Sequence, residues 1–144
     1  MRSFIITLLL LAAGGTICKA QCDQKLSAVS SKTTHLDASG AVKHSDDEST
    51  TVSFDKSNIT VIVNHDGNDD KMTGTVKSYA CDWKIPFKEG KTSMNISLTN
   101  DNGESRDFSV TIEGKDGKVT LMAESPQEPD DKIRLDIDKF ETVK

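Results

Sequence analysis

From Lys91 to Phe140 the chain reads KTSMNISLTNDNGESRDFSVTIEGKDGKVTLMAESPQEPDDKIRLDIDKF. Apolar residues fall on every second position in four successive runs. Met94, Ile96 and Leu98 share one side, as do Phe108, Val110 and Ile112, then Val119, Leu121 and Ala123, then Ile133, Leu135 and Ile137. A period of two is the signature of strands with one dry and one wet face. Asn102-Gly103 and Asp116-Gly117 separate the runs, and such pairs favour type I′ hairpin turns because both central residues tolerate positive φ. Ser125 to Asp131 reads as a longer loop.

Working back from this stretch, the same alternation continues. Lys71 to Cys81 is the longest expected strand, with Met72, Gly74, Val76, Ser78 and Ala80 on one side and Gly74 marking a bend such as a barrel corner. Trp83 to Phe87 holds Pro86, which places it at an edge or in a crossing loop. Asn58 to Val63 carries Ile59, Val61 and Val63 on one face, and Ser49 to Phe54 carries Val52 and Phe54. The polar stretch from Asn64 to Asp70 reads as a connection. Ala38-Ser39-Gly40 closes a hairpin that sets Leu36 opposite Val42. Strand pairing without interruption then sends His35 and His44 to opposite faces.

The expected fold is therefore all-β: an antiparallel up-and-down meander of about eight or nine strands, closed or half-closed into a lipocalin-like barrel, with a β-sandwich as the alternative. No long helical pattern interrupts it, which excludes a parallel α/β sheet.

The N-terminus has a different character. Arg2 precedes an uncharged, mostly apolar run from Phe4 to Ile17, and Cys18-Lys19-Ala20 puts small residues at the −3 and −1 positions of a cut before Gln21. This is the pattern of a secretory signal peptide over 1–20. Its apolar run is about fourteen residues, short of the roughly 20 a bilayer span needs, so no membrane span is expected after cleavage. Residues 21–31 read as an N-terminal arm, and 32–144 as the β domain. The expected compartment is periplasmic or extracellular.

Cleavage leaves Cys22 and Cys81, an even count in an oxidising compartment, which predicts one disulfide. Removing Arg2 and Lys19 leaves 16 basic against 23 acidic residues, a net charge of −7. Such a surface disfavours nucleic acid and anionic membrane, since no basic stripe neutralises phosphates.

Motifs with chemistry are scarce. There is no Gly-x-Ser-x-Gly elbow and no phosphate-binding glycine loop, so no catalytic residue and no cofactor is expected. His35, His44 and His65 are the only histidines; on opposite faces or in a loop they do not converge, and no metal site is expected. The acids of the 64–70 stretch lack the order of a calcium loop and read as solvated turn residues. Asp136 and Asp138 share a strand face and read as exposed.

Segments Cys81-Asp82-Trp83-Lys84-Ile85-Pro86-Phe87-Lys88-Glu89-Gly90-Lys91, Ile112-Glu113-Gly114-Lys115-Asp116-Gly117-Lys118 and Lys132-Ile133-Arg134-Leu135 resemble a group of small, uncharacterised secreted proteins of the Bacteroidota with a lipocalin-like look. The resemblance covers roughly residues 70–140. It implies a fold and no activity.

The functional expectation is a non-catalytic binding module for a small apolar ligand, with the alternative of a solid-cored structural or protein-interaction module. The residues expected to line the ligand space are Phe54, Ile59, Val61, Tyr79, Trp83, Phe87, Met94, Ile96, Phe108 and Leu121. A cavity of about 300 Å³ or more among them separates the two readings. Trp83 and Phe87 have a second reading, as the plug of one barrel end.

Overall fold

The computed structural model describes residues 17–144. It comprises a short helix α1 (Ile17–Cys22) and eleven strands: β1 (Leu26–Ser30), β2 (Thr33–Leu36), β3 (Val42–Asp46), β4 (Ser49–Phe54), β5 (Asn58–His65), β6 (Asn68–Ile85), β7 (Glu89–Asn100), β8 (Ser105–Lys115), β9 (Lys118–Ser125), β10 (Glu128–Ile137) and β11 (Lys139–Thr142). All belong to one antiparallel sheet in the order β11-β1-β4-β5-β6-β7-β8-β9-β10-β2-β3. Of the expected leader, residues 1–16 lie outside the described residues.

Eleven strands exceed the expected eight or nine because three long ones are interrupted. Ser31 and Lys32 separate β1 from β2, Asp47 and Glu48 separate β3 from β4, and Asp138 separates β10 from β11. Each pair forms one stave, so eight staves remain.

The pairing closes the sheet on itself. Leu26 pairs with Thr142, and Leu36, ten residues on, pairs with Lys132, ten residues back. The first stave is thus hydrogen-bonded to the last along its whole length, while its other side pairs with β4 and β3. At the joint, the Asp138 N–H donates to the Val29 carbonyl at 2.8 Å and the Asp138 carboxylate accepts from the Ser31 N–H at 2.7 Å. Every stave has two neighbours, which removes the open edges a sandwich would leave.

This closure corrects the expected arm. Residues 26–30 alternate buried and half-buried, with Leu26, Ala28 and Ser30 facing inward. The segment's apolar content is too low for its period to stand out in the sequence; two paired neighbours make it a strand.

The faces of the other strands follow the expected alternation except in β3 and β6, each of which carries one extra residue. In β6 the register shifts between Val76 and Ser78, so Lys77 is an extra residue and the faces exchange. Tyr79, Cys81 and Trp83 point inward below this bulge, where Ser78 and Ala80 were expected. Trp83 and Ile85 continue β6 rather than forming an edge or crossing loop, and Pro86 sits in the turn after it.

The connections are shorter than expected. The 64–70 stretch is a hairpin whose tip is Asp66-Gly67 (φ 49° and 86°), and 125–131 narrows to Pro126-Gln127. Asp116-Gly117 has both residues at positive φ (53° and 77°), as a type I′ turn requires. Asn102-Gly103 differs: only Gly103 is positive, at 81°, in a longer loop closed by Gly103 N–H to Asn100 carbonyl and Asn100 N–H to Glu104 carbonyl.

Candidate functional site: a half-open barrel

One end of the barrel is sealed. Trp83 is 1% exposed, and its indole N–H donates to Thr92 Oγ1 at 2.8 Å. Gly114 makes the space: a Cβ there would come within 2.7 Å of both the Trp83 ring and the Lys88 carbonyl oxygen. Phe140 lies 5.6 Å from the Trp83 ring and meets Phe87 edge-on at 5.1 Å. Phe87 occupies the third position of an Ile85-Pro86-Phe87-Lys88 turn at φ 60°, a conformation that favours glycine. Its N–H donates to the buried side-chain carbonyl of Gln21 at 3.0 Å, which holds the turn against α1. The Cys22–Cys81 disulfide, expected from the cysteine count, fastens α1 to β6 at the same end.

The other end is open. Above the plug lies a cavity of about 660 Å³. Its walls are apolar, formed by Val52, Ile59, Val61, Ile96, Val110 and Leu121 with neighbours from the same strands. Its mouth is polar and mostly acidic: Asp46, Glu48, Asp70 and Asp101 face Lys71, His35 and His65. An eight-stave barrel has room for packed side chains or for one small ligand, and this one divides the two uses between its halves.

The ten residues expected to line a ligand space fall on both sides of that division. Ile59, Val61, Ile96, Phe108 and Leu121 line the cavity. Phe54, Trp83 and Met94 do not; they are buried in the core, and Tyr79 and Phe87 pack against it. Alternation identified the inward face without the height of each residue along the barrel axis. The rim residues were missed as a group, since each looks like an ordinary turn acid until the staves bring them around one opening.

The histidines need a correction. His35 pairs directly with His44, because the β2–β3 register shifts between His35 and Leu36 and leaves Lys43 as an extra residue. Their rings stack with centroids 4.4 Å apart and 11° between planes. Asp46 Oδ2 lies 3.6 Å from His35 Nε2 and 3.5 Å from His44 Nε2. His35 Nδ1 lies 2.9 Å from Asp131 Oδ1. A second pair, His65 Nδ1 with Glu48 Oε2 at 2.8 Å, stands elsewhere on the rim.

Asp136 and Asp138 have different partners. Asp136 lies 3.8 Å from Arg134 Nε, and Asp138 bonds the stave joint. In the 64–70 hairpin Asn64 donates its side-chain amide to Asp69 at 2.6 Å.

This geometry defines a class: an up-and-down antiparallel barrel, sealed below and open to an apolar cavity above. The chain matches no family model, no curated protein and no solved structure.

Proposed function

We propose that the protein is a non-catalytic carrier or receptor for one small apolar molecule, working outside the cytoplasm. The observation that carries this reading is the 660 Å³ apolar cavity reached through a polar mouth. Its size falls within the roughly 300–1,000 Å³ of small-molecule sites. A solid-cored interaction module would fill that space with its own side chains, as the sealed end does, so the open half favours binding.

The rim narrows the ligand class. With acids outnumbering lysine around the opening, a carboxylate or phosphate head group meets repulsion there, whereas a neutral or cationic polar end does not. The favoured ligand is thus apolar with an uncharged or amine-bearing end.

Two observations support that compartment, the signal-like sequence of 1–20 and the Cys22–Cys81 disulfide; no helix among the described residues is long and apolar enough to cross a membrane. The lipocalin-like resemblance to secreted Bacteroidota proteins belongs to this reading as well.

Titration with Nile red, a neutral apolar dye, tests the binding. Saturable one-to-one fluorescence is expected, weakened about tenfold or more by Ala123→Phe, which fills the cavity from its wall while leaving the sealed end intact. An anionic dye of similar size is expected to bind more weakly. Absence of saturable Nile red binding, together with no apolar molecule retained in native mass spectrometry, overturns the proposal.

A further inference from the structure

We infer that the β2–β3 hairpin carries a binding site for one divalent transition-metal ion of the zinc class, with His35 Nε2, His44 Nε2 and an Asp46 carboxylate oxygen as ligands. It is independent of what the cavity holds.

The donor set comes first. Two imidazoles and one carboxylate form a mixed nitrogen–oxygen set suited to Zn²⁺ and its first-row neighbours. Their three ligand atoms lie within 4.8 Å of one another. The two imidazole-to-carboxylate separations, 3.6 and 3.5 Å, are longer than an N–H to oxygen hydrogen bond of about 2.7–3.2 Å. They match the edge of a tetrahedron with bonds of about 2.0–2.2 Å. The His35 and His44 rings lie stacked and nearly parallel, so His44, whose side chain is more than half exposed, must turn its ring out of the stack to aim Nε2 at the same ion as His35.

Orientation is the second observation. The Asp131 carboxylate accepts from His35 Nδ1, so that nitrogen carries the proton and Nε2 presents its lone pair toward Asp46 and His44. A carboxylate behind a ligating histidine is the usual means of fixing its tautomer and raising its basicity. Lys43, the extra residue of the bulge, has its ammonium 3.9 Å from Asp131 Oδ1 and donates to the Asp130 carbonyl at 3.1 Å. It thereby secures Asp131 from outside.

Electrostatics agree. Asp46 places a carboxylate beside both imidazoles, and Asp131 places a second one behind His35, so negative charge surrounds the position a divalent cation would take. Three protein ligands leave a position for water or an exogenous donor. Because His35 and Asp46 also line the cavity mouth, an ion held there would sit beside the entrance.

Isothermal titration of Zn²⁺ into the chelator-stripped full chain, with the visible spectrum of Co²⁺ as a second readout, tests the site. Expected are one ion per chain at about micromolar affinity and a tetrahedral cobalt band. His44→Ala, an exposed change, should weaken binding more than tenfold with an unchanged apo melting temperature. Asp131→Asn should weaken it about tenfold or more, and His65→Ala should leave it unaltered. No heat and no cobalt band at about 100 µM metal overturns the inference. So does undiminished binding in His44→Ala, or loss of binding in His65→Ala.

Discussion

Trp83 and Thr92 are joined side chain to side chain within the sealed end, the indole N–H donating to the hydroxyl at 2.8 Å, with both residues essentially without solvent exposure. An indole N–H cut off from water requires a partner, and the ladder between β6 and β7 supplies it. Thr92 also approaches Cys81 Sγ at 3.5 Å, so tryptophan, threonine and disulfide form one unit.

Replacing Thr92 with valine keeps the shape and removes the acceptor. A buried donor left unpaired costs about 1–3 kcal/mol, so Thr92→Val should unfold at correspondingly lower denaturant. Nile red binding at the other end should be unchanged in the folded protein. Chemical denaturation followed by Trp83 fluorescence measures both the loss and the altered indole environment.

At Gly74 β6 lies tight against the β7 backbone. A Cβ on it would lie 1.9 Å from the Ser97 carbonyl oxygen, a backbone atom that cannot swing aside. Gly74→Ala should therefore destabilise the barrel by more than about 2 kcal/mol, measured by urea unfolding, whereas Ala80→Gly on the exposed outer face should cost much less.

The disulfide closes a loop across a sequence separation of 59. By the chain-entropy argument this contributes about 4 kcal/mol. Cys22→Ala with Cys81→Ala should lower the melting temperature and loosen α1 first, which hydrogen exchange at Phe87 reports through its bond to Gln21.

Acid should weaken the fold through three aspartates, two in turns and one on β8. Asp55 accepts from the Ser57 and Asn58 N–H groups, which hold its carboxyl below the usual 3.8. Asp37 is lowered by the Ser39 hydroxyl and the Ala41 N–H, and Asp107 chiefly by Lys77. Depressed values mean stabilisation present above pH 3.8 and lost as pH falls through the folded-state values below it. Melting temperature should thus decline below about pH 4, and Asp55→Asn should start lower and decline less.

Much of the barrel was legible because a period of two survives in any strand with one wet face. Ile96, Val110 and Leu121 point inward as alternation demands. The two reversals of facing share one cause. Lys43 and Lys77 are single extra residues, each of which shifts a register, and nothing in their identity announces a bulge. One reversed the relation of His35 to His44; the other exchanged Ala80 for Tyr79 and Trp83 on the inner face.

By itself the sequence determined the strand-and-turn alternation, the pairing of Cys22 with Cys81 and the acidic surface, since each depends on residues near in the chain or on a simple count. Tertiary structure alone decided that residues 26–30 complete the ring, that the aromatic residues seal one end while the other stays hollow, and that two histidines meet beside Asp46. Those outcomes depend on axial height and strand register, which arise only when staves distant in the chain pair around a closed circle.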